Sequence, residues 1–172
     1  MKNTKDVPRP TTRYFRGMLL WLFVSLAHAE PAPAPTLTVY KDAQCGCCSK
    51  WVDHLAAHGI VAQAVDLDAA ALAEVKRAHG VGPQYQSCHT AVTADGLVFE
   101  GHVPAPTLAR FLAEHPTGGR GLAVPGMPPG SPGMEVGDRF VPYQVWQLEA
   151  DGAQVYEDVR ERATQYAPRA RP

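Results

Sequence analysis

The sequence carries little charge and no basic patch. Asp, Glu, Lys and Arg make up 19% of it, below the quarter usual in globular chains. The formal net charge of −1 hides an asymmetry. Lys2, Lys5, Arg9, Arg13 and Arg16 face Asp6 alone in residues 1–29, so 11 of the 16 basic and 16 of the 17 acidic side chains lie beyond them. A mildly acidic domain without clustered Lys and Arg is a poor nucleic-acid binder. Long apolar runs are missing as well: Met18–Ala27 is far shorter than the roughly 20 residues of a membrane-spanning helix. No Ser/His/Asp set, phosphate-binding loop or paired carboxylates stand out, and Gly80-Val-Gly82 is too short for a nucleotide loop. There is no internal repeat and no second segment with a core pattern of its own. Cysteine is scarce too, with four in 172 residues, and a disulfide framework would space them widely.

What the N-terminus does have is the pattern of a secretory signal. A basic region precedes the apolar run, and Ala27-His28-Ala29 puts small residues at the positions that define cleavage. No twin arginine is present, so ordinary export is expected. This reading gives a signal peptide over residues 1–29 and an extended Pro/Ala tether over 30–35, Glu30-Pro-Ala-Pro-Ala-Pro35. Export to an oxidising compartment would turn most cysteines into disulfides. Three of the four, however, crowd into Cys45-Gly46-Cys47-Cys48, and adjacent cysteines bridge only with strain. Such crowding points to a reactive or metal-binding site.

The pattern around this cluster alternates strand and helix. Thr36-Leu-Thr-Val-Tyr40 reads as a strand running into the cysteines. From Cys48 onward, Trp51, Val52, Leu55 and Ala56 recur at helical spacing, with Gly59 as the stop. Ile60–Asp66 reads as a second strand. Asp68 caps a helix from Ala69 to about His79. Thr90–Thr93, the Asp95-Gly96 turn and Leu97–Glu100 predict a hairpin. Pro104 and Pro106 suit the entry to a helix over Thr107 to about Glu114. The order β-α-β-α-β-β-α is thioredoxin-like, an α/β class, and places the core over residues 36–116. Residues 117–163 form a C-terminal extension. Its first part is a Pro/Gly-rich loop, a composition that ordinarily means disorder, and Tyr143–Glu149 with Ala153–Tyr156 predicts a terminal β-hairpin. Residues 164–172 read as a loose tail.

The chemistry follows from residue type and place. A cysteine at a helix N-terminus feels the macrodipole and unpaired amides, which favour thiolate, the form that attacks disulfides and binds metals. Cys45 and Cys48 have the two-residue spacing of thiol redox pairs. Cys47, inside that pair, adds a soft ligand suited to Cu(I), zinc or iron–sulfur chemistry. Cys88-His89 sits just before the third strand, where thioredoxins carry a cis-proline, and so should face the first-helix cysteines. Met127 and Met134, each after a glycine in the Pro/Gly-rich loop, are thioether ligands suited to Cu(I) if the loop folds over the site; otherwise they are hydrophobic plugs. His102, at the end of the hairpin, is a ligand or hydrogen-bonding candidate. His54, His58, His79 and His115 are expected on the solvent side, and Trp51 and Trp146 as core or site cover.

Four motifs in order, Thr38-Val-Tyr-Lys-Asp-x-x-Cys-Gly-Cys-Cys48, Gln86-Ser-Cys-His-Thr-Ala91, Phe99-Glu-Gly-His-Val-Pro-Ala105 and Gly121-Leu-Ala-Val-Pro-Gly-Met-Pro-x-Gly-Ser-Pro-Gly-Met-Glu135, resemble the CopG-type copper-resistance family. The resemblance spans about Thr36 to Val155. It implies a periplasmic thioredoxin-like domain whose C-terminal extension covers the site. It also implies copper held by Cys45, Cys47, Cys48 and Cys88, with Met127, Met134, His89 and His102 in the other matching motifs. The implied activity is interconversion of Cu(I) and Cu(II), a copper oxidoreductase role in copper resistance, with four thiolates able to share more than one Cu(I). Two other readings stay open: a copper chaperone or buffer without redox turnover, and a thiol–disulfide oxidoreductase using Cys45 and Cys48. Expected partners are copper ions and other periplasmic copper-handling or efflux proteins. Neither nucleic acid nor, after signal removal, a membrane is expected as a partner, and the chain should be monomeric.

Overall fold

The structure, a computed structural model, describes residues 36–167. The expected signal peptide, the tether and the last residues of the expected tail lie outside the described residues. Within them, no helix is long and apolar enough to cross a membrane.

The first strand, β1 (Thr36–Lys41), buries every second residue, Leu37, Val39 and Lys41. It leads into α1 (Gly46–Ala57), then β2 (Val61–Asp66), which lies parallel to β1. A right-handed strand–helix–strand unit is the usual way to bring two consecutive strands parallel. Next come α2 (Ala69–Ala78), capped by the Asp68 carboxylate on the Ala71 N–H at 2.8 Å, and the antiparallel pair β3 (His89–Thr93) and β4 (Val98–Glu100). Helix α3 (Ala105–Glu114) follows. With the strand order β2-β1-β3-β4 and β3 reversed, this is the expected thioredoxin-like arrangement.

The helices cover opposite faces of the sheet. Ala91 and Phe99 share the main core with Trp51 and Leu55 of α1 and Leu108 and Phe111 of α3. Thr90 points the other way and meets Lys76 of α2, as the two-residue period of a strand requires. The main core therefore lies between the sheet and the α1/α3 pair.

Residues beyond α3 do not form a separate appendage. Gly121–Ala123 make a short strand, β5, parallel to β4 and antiparallel to β6 (Tyr143–Glu149), which pairs with β7 (Gly152–Val159). The terminal hairpin thereby joins one seven-stranded sheet. The sequence reading lacks β5, since three residues opening on a glycine give no periodicity. That glycine is required, because a Cβ at Gly121 would lie 1.7 Å from the Val98 carbonyl oxygen. The tail also differs from expectation. Arg162–Tyr166 form a 3-10 turn, and Gln165 is buried, donating to the Gly130 carbonyl at 3.0 Å and accepting from the Tyr143 hydroxyl.

Candidate metal centre

Two structures meet at the cysteines. One is the turn between β1 and α1. The Asp42 side chain accepts from the Gln44 N–H at 2.7 Å and the Asp42 carbonyl from the Cys45 N–H at 3.0 Å, folding the chain back so that Cys45 becomes the N-cap of α1. No side chain caps the helix there, so its first amides and positive dipole end are left facing the sulfurs. Cys45 and Cys48 are joined as a disulfide, their Cα atoms 5.3 Å apart. Cys47 is a free thiol with its sulfur 3.5 Å from that of Cys45. Cys48, by contrast, is fully buried and faces inward.

The other is the start of β3. The Cys88 sulfur lies 3.5 Å from the Cys48 sulfur, 3.4 Å from His89 Nδ1 and 3.1 Å from His102 Nε2. The thiol pKa is pushed up to about 12, first by burial and then by neighbouring Cys47, so without a cation Cys88 stays protonated. His102 Nδ1 lies 2.7 Å from the Pro132 carbonyl oxygen. A carbonyl can only accept, so Nδ1 carries the proton and the Nε2 lone pair faces Cys88. Burial lowers the pKa of both imidazoles, His89 most strongly, where His102 and then Lys76 add to the effect. His89 is fully buried under Trp51, with ring centroids 4.4 Å apart, and its Nε2 has no hydrogen-bond partner among the described residues. Trp51 is thus core and site cover together, held by its indole N–H on the Val103 carbonyl at 2.8 Å.

The Pro/Gly-rich loop closes over both. The Gly126 N–H donates to the Gln86 carbonyl at 3.0 Å, and the Gly126 carbonyl accepts from the Ser87 hydroxyl. Pro132 offers its carbonyl to His102, and Gly133 packs on α1 so closely that a Cβ would lie 2.5 Å from the Cys47 carbonyl oxygen. Proline and glycine here mean close fit and left-handed turns rather than disorder. Gly126, Gly130 and Gly133 all have positive φ, which a side chain would oppose.

The expected site residues therefore fall as follows. Cys45, Cys47, Cys48 and Cys88 come together with ligand atoms within 4.8 Å of one another, as do Cys88, His89 and His102. Met127 and Met134 each follow a glycine that touches a segment flanking the cysteines; Met127 is 52% exposed and Met134 half-buried. His54 departs from the expected solvent side. It lies on the Trp51–Leu55 face of α1 and is buried, its Nε2 accepting the Ala105 N–H at 3.0 Å. Sequence reasoning did not single out Glu100 and Lys76, which pair in the interior directly behind Cys88-His89. Glu100 stands inside a quoted motif, yet a lone acidic residue in a strand gives no sign of burial.

The donor set fits a soft cation. It offers sulfur from four cysteines once the disulfide is reduced, neutral imidazoles on the buried side, and one imidazole already oriented by a backbone carbonyl, as metal-binding histidines commonly are. The unpartnered His89 Nε2 is a buried polar atom that such a ligand environment would satisfy.

Comparison with known proteins agrees with this picture. A family model described as a protein of unknown function, DUF411, matches residues 85–134. No curated protein matches the sequence. Two solved structures do. "Copper resistance protein copG", form 1, is 41% identical with a TM-score of 0.67, covering 73% of this chain and 97% of that one. Form 2 is 43% identical with a TM-score of 0.65, covering 73% of this chain and 98% of that one. At that identity and coverage, with the cysteine cluster in place, the chain belongs to the CopG family of copper resistance proteins.

Proposed function

We propose that this protein is an exported copper protein of copper resistance that binds Cu(I) through Cys45, Cys47, Cys48 and Cys88 and interconverts Cu(I) and Cu(II). The observation that carries the reading is the meeting of all four sulfurs within 4.8 Å. Four thiolates at that spacing can share more than one Cu(I) through bridging sulfur, since soft thiolates prefer soft ions. His89 and His102 flank the buried end, and Met127 and Met134, on the covering loop, supply thioethers that need no deprotonation. The Cys45/Cys48 pair supplies the redox step. Forming its disulfide from two thiols releases two electrons and two protons, enough to reduce two Cu(II) to two Cu(I); in the reverse direction two Cu(I) return the two electrons to the disulfide, which takes up two protons, and two Cu(II) result. The exported form comprises the thioredoxin-like core over residues 36–116 and its extension over 117–163, after loss of residues 1–29. It works as a periplasmic monomer alongside other copper-handling proteins.

The test is copper content and free-thiol count on the mature chain, reduced and loaded with Cu(I) without oxygen. The expected result is more than one tightly held copper with all four thiols masked. Less than one copper with four reduced thiols would overturn the reading. A thiol–disulfide oxidoreductase is the second reading, favoured by the Cys45–Cys48 disulfide itself. It predicts that Cys47→Ser and Met127→Leu leave disulfide-exchange activity on protein substrates intact. Copper binding should weaken in both.

A further inference from the structure

We infer that Glu100 is a positioning residue for the metal centre: one buried carboxylate grips both flanks of Cys88-His89 and fixes where their sulfur and imidazole stand. The inference rests on the copper reading above for its consequence, but not for its geometry.

Glu100 ends β4 and is fully buried, directly opposite Thr90 in the β3–β4 register. Its Oε1 accepts the Ser87 backbone N–H at 2.6 Å and its Oε2 accepts the Thr90 hydroxyl at 2.6 Å. Ser87 and Thr90 are the residues immediately before Cys88 and after His89. The two oxygens of a single carboxylate therefore bracket the pair. Lys76, reaching through from α2, supplies the countercharge: its Nζ donates to Glu100 Oε1 at 2.5 Å and to Thr90 Oγ1 at 2.9 Å. The next two residues complete the grip. The Gly101 N–H donates to the His89 carbonyl at 3.0 Å, and His102 Nε2 meets the Cys88 sulfur at 3.1 Å. Gly101 has to be glycine, with φ of +71° and room for a Cβ only 2.5 Å from Ser87 Cβ and from the Val124 carbonyl oxygen.

Chemistry explains why a carboxylate stands here. It is acceptor-only at both ends, whereas an amide of the same shape has one accepting oxygen and a donor NH2. Gln at position 100 could keep the Ser87 bond through its neutral oxygen, but would have to reverse the Thr90 bond, against a hydroxyl that already accepts from Lys76, and would leave the Lys76 charge without its partner. Stability is a poor explanation for the pair, because buried ion pairs are often replaceable by apolar residues at no loss. What apolar residues cannot do is hold the Ser87 amide. Where a metal site is supported by such outer contacts, disturbing them weakens binding by about 10–100-fold.

The test compares the mature chain with Glu100→Gln, Glu100→Asp and the apolar double variant Lys76→Met/Glu100→Leu. Three readouts apply: melting temperature; the proton shift of the Ser87 amide by NMR; and the alkylation rate of Cys88 in a Cys47→Ser background. With the Cys45–Cys48 disulfide intact, that background leaves Cys88 as the free thiol. Cu(I) affinity of the otherwise unchanged cysteine set is measured by competition with a chromogenic chelator. In the parent chain the Ser87 amide proton should lie strongly downfield, as a short bond to a carboxylate requires. Each variant should move it upfield and speed Cys88 alkylation. The double variant, which leaves no unpaired buried charge, should melt above Glu100→Gln, yet bind Cu(I) about 10–100-fold more weakly than the parent. Glu100→Asp, with its charge kept and its reach shortened, should fall between and serves if Glu100→Gln does not fold. A double variant with parental alkylation and affinity would reduce the pair to a structural role and overturn the inference. So would a Ser87 amide indifferent to Glu100. Should the parent hold no copper, the copper reading fails, while the amide shift and alkylation rate still decide the grip.

Discussion

The two sides of the sulfur cluster are built on opposite plans. On the helix side, Cys45, Cys47 and Cys48 come from four consecutive residues, with Cys45 and Cys47 half-buried at a helix N-terminus that nothing caps. On the strand side, Cys88 is held by partners from β3, β4 and the covering loop, among neutral imidazoles and with a buried carboxylate behind it. The helix side holds its sulfurs in a single turn, Cys48 fully buried and Cys45 and Cys47 half-buried; on the strand side Cys88 is half-buried too, and there burial disfavours the charged thiolate. The contrast lies in what sets each position: one turn of chain for the first, partners brought from distant segments for the second.

The largest effect should come from removing the sulfur common to both groups. Cys88→Ser is expected to weaken Cu(I) binding by more than the roughly 10–100-fold of an outer contact, while Cys47→Ser costs less. Equal losses in chelator competition would erase the distinction between the sides. Glycine substitutions probe the same contrast through stability. Gly101→Ala forces a side chain into the strand side at positive φ against a backbone carbonyl, and should destabilise by about 2–5 kcal/mol in urea unfolding.

Acid should act through the buried imidazoles His54, His89 and His102, all held below the ordinary histidine pKa, and His54, behind the helix side, is the one that lies outside the metal centre. Its pKa is lowered to about 4, chiefly by burial and then by His58, and its Nε2 must stay unprotonated to accept the Ala105 N–H. An unfolded histidine takes up its proton near 6.5 while the folded one refuses it until about 4. Stability should therefore be full above 6.5 and fall, by on the order of 2 kcal/mol, as pH drops through that window. Unfolding midpoints at pH 7 and pH 5 check this; His54→Gln should flatten the slope, and an unchanged slope would place the titration elsewhere. The smallest effect belongs to Gly46→Ala. A Cβ there meets nothing within 4 Å and φ is not positive, so the helix side should tolerate it, gaining about 0.4–1 kcal/mol. A loss comparable to that of Gly101→Ala would mean the helix side is as tightly fitted as the strand side.

Much of this was legible because it is local. Alternation in Thr36–Tyr40, the helical spacing of Trp51 and Leu55 and the Asp68 cap each express a preference over a few residues. Cysteine crowding announced a site before any fold was known. The terminal hairpin was legible for the same reason, but its attachment was not: β5 is three residues whose strand character comes wholly from β4 and β6 on either side. The Pro/Gly-rich loop misled in composition and not in position. Its glycines are needed where the backbone turns left-handed at Gly126 beside Ser87, and where Gly133 presses on Cys47 and Gly130 on the chain near Arg139.

By itself, then, the sequence determined the order of elements, the soft-donor character of the site and the helix end that carries three of its sulfurs, since periodicity, capping and thiol chemistry operate over one turn or one strand. That Cys88-His89 faces the first-helix cysteines was expected from the order of elements; only the tertiary structure decided that Cys48 is the cysteine whose sulfur lies 3.5 Å from that of Cys88, that His102 turns its lone pair toward that sulfur, and that Glu100 and Lys76 pair behind it. Those depend on which face of β3 each residue takes once β1 and β4 flank it, and on burial, which no residue's own identity specifies.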